Sequence, residues 1–118
     1  MNVDLHCHST ASDGALAPAV LVARAFEKGV RVLALTDHDT LEGLAEARTA
    51  ANELGMQLVN GVELSCTWGG ATIHVLGYGF DQKAPPLVEA VAQLRAMFSC
   101  RMSRSPPLKA SNCTVTSR

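Results

Sequence analysis

Three apolar runs in this chain end in short polar clusters: Asp4-Leu5-His6-Cys7-His8-Ser9, Thr36-Asp37-His38-Asp39 and Gly61-Val62-Glu63-Leu64-Ser65. The chain has four histidines; His6, His8 and His38 lie in two of these clusters and His74 in a fourth apolar run. On a strand, residues two apart project from one face with a separation of roughly 7 Å. His6 and His8 can therefore meet one ion, with Asp4 on the same face. His38 closes an apolar run, and the carboxyl ends of parallel strands form the functional face of an α/β sheet. Asp37 is either a ligand or the acceptor that orients a ligand histidine. Asp39 reads as a helix cap. Glu63 is costly near a strand end unless it pairs with a cation, a neighbouring Arg or Lys, or a metal. His74 alternates with Ile73 and Val75; alone it would be a structural histidine, but with the other clusters it joins the ligand candidates. This nitrogen and carboxylate mixture suits zinc, manganese or iron better than calcium. The chemistry it implies is metal-dependent hydrolysis.

Positioning such clusters requires alternating strands and helices, and residues 1–96 read that way. Val3 to His8 suits a first strand, followed by a turn at Ser12-Asp13-Gly14. From Pro18 to Lys28 the apolar residues fall at helical spacing, with proline in the first turn and Gly29 just past the end. Val30 to Thr36 is a continuous apolar run, as in a buried parallel strand. The next helix is expected to be capped by Asp39 or Thr40, with Glu42 in its first turn, and to end at Leu54 before Gly55. Gln57 to Leu64 and Ala71 to Phe80 are the third and fourth strands, the two glycines of the latter suggesting a bulge or close packing. Pro85 and Pro86 open a last helix that reaches at least Arg95. The order β-α-β-α-β-β-α implies an α/β layer or barrel on a largely parallel sheet.

At 118 residues the chain is one domain at most, with a modest core. No apolar run is long enough to span a bilayer. The N-terminus lacks a basic region followed by an apolar core, so no secretory signal is expected and the cytoplasm is the expected location. Cys7, Cys66, Cys100 and Cys113 form no Cys-x-x-Cys pair and read as reduced thiols, with Cys7 pointing away from His6 and His8. Residues 1–96 hold six basic and all eleven acidic residues, a balance of −5, whereas residues 97–118 hold four basic and no acidic ones. That last segment has five serines against three in everything before it, and no apolar period. We expect it to be a disordered tail, and a shift of reading frame accounts best for its composition.

Taken with Ser12-Asp13-Gly14 and with His74 before Leu76-Gly77-Tyr78, the polar clusters resemble the successive motifs of the polymerase and histidinol phosphatase (PHP) superfamily, over residues 1 to about 96. The Ser12–Leu16 turn and the stretch from His74 to Gly79 are most similar to stand-alone bacterial members. Those act as 3′,5′-nucleoside bisphosphate phosphatases and as 5′→3′ exoribonucleases of the ribonuclease AM type. The resemblance implies a distorted (β/α)7 TIM-like barrel with up to three divalent ions (manganese, zinc or iron) at the carboxyl ends of its strands. By motif, His6 and His8 would bind the first ion, Glu63 would bridge the first and second, His74 would help bind the second, and Asp13 and His38 would bind the third. No catalytic residue distinct from these ligands is implied. The substrate would be a phosphorylated nucleotide or an RNA end; there is no DNA-binding motif. The family pattern continues with a further histidine and an Asp-x-His motif that residues 75–118 do not supply. Such a barrel also needs roughly 200 residues or more. Residues 1–96 therefore look like a partial PHP domain, the N-terminal half of a barrel, with an open sheet edge and an uncovered apolar face. Its activity is expected to be impaired. A non-catalytic metal-binding fragment and a PHP module of a DNA polymerase are the other readings, and the lack of polymerase sequence counts against the second of these.

Overall fold

The computed structural model describes residues 1–102. Its elements are β1 (Asn2–Cys7), α1 (Pro18–Glu27), β2 (Val30–Leu35), α2 (Gly43–Leu54), β3 (Gln57–Trp68), β4 (Ala71–Tyr78) and α3 (Pro85–Met102). The strands form one sheet in the order β1-β2-β3-β4. β1, β2 and β3 run parallel, and β4 returns antiparallel to β3. This is an α/β architecture consistent with the N-terminal part of a PHP-type barrel.

Local chemistry accounts for the boundaries. Proline opens α1, where a missing N–H costs nothing, and Gly29 follows its end at φ 89°. α2 stops at Gly55, whose φ of 65° is left-handed, and the Met56 N–H closes back on the Ala51 carbonyl at 2.8 Å. Between β3 and β4 the chain turns on Gly69-Gly70, at φ 55° and 81°, the pair of positive values that a tight hairpin requires.

The core lies between the two helices and the middle strands. Val22 of α1 and Leu44, Ala47 and Ala51 of α2 pack on Leu33, Leu35 and Leu58, with Met56 beside them. The outer strands are covered less well. Val3 and Leu5 on β1 and Ile73 and Val75 on β4 are exposed, as expected of an open sheet with an uncovered face. No helix of the described residues is long and apolar enough to cross a membrane.

Several boundaries differ from expectation. Neither Asp39 nor Thr40 is the N-cap of α2: the helix begins at Gly43 after Glu42, which makes no side-chain cap bond, and Thr40 Oγ1 instead accepts from the Glu42 N–H just before it at 3.2 Å. β3 runs on to Trp68, because its outer half pairs with β4 rather than with β2. α3 continues to Met102, so the first residues of the expected tail extend a helix, while 103–118 lie outside the described residues.

The sheet is curled enough for its first and last strands to touch. The Tyr78 hydroxyl donates to the Leu5 carbonyl at 2.7 Å, across 73 positions of sequence. Tyr78→Phe removes only this bond. The tyrosine is partly exposed, so we expect a loss of about 0.5–1 kcal/mol, seen as a lower urea midpoint with an unchanged slope.

Candidate metal centre

The site forms where the ends of β1 and β2 meet the middle of the β3–β4 hairpin. β1 stops at Cys7, and its last residues bring His6 and His8 to one spot, with their Nε2 atoms 3.1 Å apart. Cys7 faces the other way, packs on the helix-side core and donates its thiol to the Ala34 carbonyl. Burial, and then the charges of Asp4 and Asp37, push that thiol up from 9.0 to about 12. Because the folded value is raised, the stability it contributes is complete below about pH 9 and is lost as pH rises from there toward 12. At pH 8 Cys7 should resist iodoacetamide in the native protein and react once urea unfolds it, which peptide mapping will show.

Beyond Leu35 the chain leaves regular pairing but stays beside β3. His38 forms a single parallel bridge with Glu63, fixed by Glu63 N–H to the Asp37 carbonyl (3.1 Å) and Asp39 N–H to the Glu63 carbonyl (3.0 Å). On the hairpin, Glu63 and Ser65 share a face, and Ser65 pairs in register with His74. Four imidazoles thus line up. His6 meets His8 edge-on at 5.1 Å, His8 stacks on His38 at 4.5 Å, and His38 meets His74 edge-on at 5.2 Å.

Glu63 lies under this row and is 7% exposed. Its Oε2 is 3.0 Å from Nε2 of both His6 and His8 and 3.8 Å from that of His38. Its other oxygen is 3.8 Å from His74 Nδ1. Burial works to raise its pKa, but the hydrogen bond from His6 and the charges of His38, His6 and His8 outweigh it and hold the carboxyl below 4.5. Of the partners the sequence left open to Glu63, an Arg or Lys is not the one found among the described residues; imidazoles compensate it.

Asp13 sits on the β1–α1 loop, 3.5 Å from His8 Nδ1 through one oxygen and 3.5 Å from His38 Nε2 through the other. Among the described residues three groups of possible ligand atoms result: His6, His8 and Glu63; His8, Asp13 and His38; His38, Glu63 and His74. All six residues singled out as ligands in the sequence fall into these groups.

Asp37 does not. It is 2% exposed and orients a loop rather than a histidine. It accepts from Ser9 N–H, Ser9 Oγ and Ser12 Oγ, each at 2.7 Å. Ser9 in turn accepts from Gly14 N–H, which fixes the turn that presents Asp13. Gly14 is required there, since a Cβ would stand 2.1 Å from the His8 carbonyl oxygen. Asp39, Ser9 and Ser12 are the site-building residues that the sequence reading missed. For the serines a signal existed: Ser-x-x-Ser flanking a turn, with a carboxylate needing donors.

A divalent ion fits this donor set. The His6, His8 and Glu63 atoms form a triangle with edges of 3.0–3.1 Å. Three acceptor-rich atoms at that spacing cannot all be satisfied by the two N–H protons of neutral imidazoles, whereas ligands about 2.1 Å from a common ion stand roughly 3.0–3.4 Å apart. His8 Nδ1 is buried without a hydrogen-bond partner, facing Asp13 across a gap too long for one.

The chain is similar to known proteins in sequence and in fold. The family model for the PHP domain matches residues 4–100. A 5′-3′ exoribonuclease of Haemophilus influenzae is 51% identical over 94 residues, which is 80% of this chain and 34% of that protein. A 3′,5′-nucleoside bisphosphate phosphatase of Chromobacterium violaceum is 47% identical over 94 residues, 80% of this chain and 33% of that one. Among solved structures, a Bifidobacterium adolescentis protein assigned as a metal-dependent phosphoesterase superposes with a TM-score of 0.81 at 33% identity, covering 86% of this chain and 36% of the other. The chain thus spans about a third of the length of these curated relatives.

Proposed function

Since this chain belongs to the PHP domain family, we propose that its clustered histidines and carboxylates serve metal-dependent hydrolysis of phosphate esters on nucleotides or RNA ends. The observation that supports this most is Glu63, one nearly buried carboxylate shared by two of the three ligand groups. In this reading His6 and His8 would hold one ion, Glu63 would be shared between it and a second that His74 would also hold, and Asp13 and His38 would hold a third. Such ions would activate water and neutralise phosphoryl oxygens. The protein's own part is to hold the ligands. Glu63 supplies the central negative charge, Asp37 fixes the loop that carries Asp13, and the exposed rims of His6 and His74 leave the group open to an incoming phosphate. Manganese, zinc or iron suits these donors.

We further propose that residues 1–96 are a partial PHP domain, so that each ion lacks ligands the rest of a barrel would add. The uncovered β1 and β4 and the one-third coverage of relatives support this. A cytoplasmic setting belongs to the same reading and is supported by Cys7 and Cys66, which form no disulfide among the described residues.

Equilibrium dialysis against Mn²⁺, paired with phosphate release from a nucleoside 3′,5′-bisphosphate, tests both proposals. Weak binding that depends on His8, with little or no turnover, is the expected result. No binding even at millimolar Mn²⁺ would sink the metal assignment. Robust turnover abolished by His8→Ala would sink the partial-domain reading and keep the phosphoesterase.

A further inference from the structure

We infer that Asp39 is a positioning residue that hooks the β3–β4 hairpin to the end of β2 and so sets Glu63 and His74 against His38. Regular pairing of β2 with β3 ends at Leu35 and Asn60. Past that point the two segments stay together only through the His38–Glu63 bridge and the contacts of its neighbours. The furthest of these along β3 is a side-chain bond: Asp39 Oδ1 accepts from Ser65 N–H at 2.7 Å. Ser65 is the register partner of His74, and its hydroxyl lies 3.4 Å from His74 Nδ1. Asp39 thus links the residue next to one ligand to the residue paired with another.

The backbone is shaped for this reach. Asp39 has φ 50°, and among the described residues every other residue with positive φ is glycine. Aspartate and asparagine tolerate that region better than other side chains. The turn sends the carboxylate back over β3 instead of onward to α2, which starts four positions later. The side chain is 5% exposed and stands in none of the three ligand groups. Its role is therefore geometric, and asparagine, which keeps both the acceptor oxygen and the tolerance for the turn, should replace it. Glycine accepts the turn but has no acceptor, and alanine has neither.

The inference rests on the metal-site reading, so its test begins without metal. In the metal-free full chain, long-range ¹H–¹⁵N spectra report the four imidazole rings; Co²⁺ titration of the same samples then reports the ligand groups. Asp39→Asn should keep the wild-type His38 and His74 signals and bind Co²⁺ within about threefold of wild type. Asp39→Gly and Asp39→Ala should shift those two rings more than His6 and weaken Co²⁺ binding by about 10–100-fold, the range for residues that orient ligands. Native ring signals with unchanged Co²⁺ affinity in Asp39→Gly would overturn the inference, because the turn alone would then suffice. So would a folded Asp39→Asn that binds like wild-type protein stripped of the site, because charge rather than geometry would matter. If the glycine and alanine variants fail to fold, the asparagine variant decides. If wild type binds no Co²⁺, the metal reading fails, while the apo ring signals still judge Asp39.

Discussion

Glu63→Gln will lose most of this chain's divalent-metal affinity, by at least about 100-fold for Mn²⁺ or Co²⁺ in equilibrium dialysis, and will keep the fold at neutral pH. Glutamine preserves the volume and one acceptor oxygen but removes the carboxylate that, among the described residues, two ligand groups share. His74→Ala touches one group and should cost less. The same variant has an acid signature. In the folded protein Glu63 is held below 4.5, burial being outweighed by His6, His38 and His8. A depressed carboxylate contributes stability that is present above its unfolded value and is lost as pH falls through the folded one. Wild type should therefore lead Glu63→Gln in urea midpoint above the unfolded carboxylate value, and the gap should close as pH falls below 4.5. A gap that does not close as the solution is acidified below 4.5 would show that the imidazoles do not hold this carboxylate.

Three of the candidate ligands were legible in the sequence because two local rules place them. His6 and His8 are two apart on a strand, and His38 closes an apolar run whose carboxyl end must face the functional side of a parallel sheet. What was illegible depends on contacts distant in sequence. Asp37 finds its donors 25 and 28 positions away, so nothing beside it tells a loop anchor from a histidine anchor. Asp39 before a helical stretch looks like a cap. Only its left-handed backbone, and a β3 that outruns β2, turn its carboxylate toward Ser65. The length of β3 itself follows from Gly69-Gly70, a hairpin signal whose consequence is that residues beyond Leu64 pair with β4.

Asp37→Ala should be the most destabilising single substitution at this site, by about 3–5 kcal/mol, because it leaves buried donors without an acceptor. Ser9 is fully buried, so neither its N–H nor its hydroxyl can turn to water. Ser12 Oγ loses its 2.7 Å acceptor as well. Asp37→Asn separates charge from hydrogen bonding. One oxygen takes both Ser9 N–H and Ser12 Oγ, and the amide oxygen can keep these two. The amide nitrogen would then face Ser9 Oγ, which must turn round to accept from it while it already accepts from Ala11 N–H at 3.1 Å. One strained bond in place of three lost ones predicts about 1–2 kcal/mol for asparagine. Metal binding should divide along the same line. The loop from Ser9 to Gly14 carries Asp13, so Asp37→Ala should weaken the group of His8, Asp13 and His38 and spare that of His6, His8 and Glu63. Co²⁺ titration of Asp37→Ala beside Asp13→Ala checks this. Matching residual binding in the two variants identifies Asp37 as the support of Asp13, whereas a complete loss in Asp37→Ala alone would mean that Asp37 holds β1 itself.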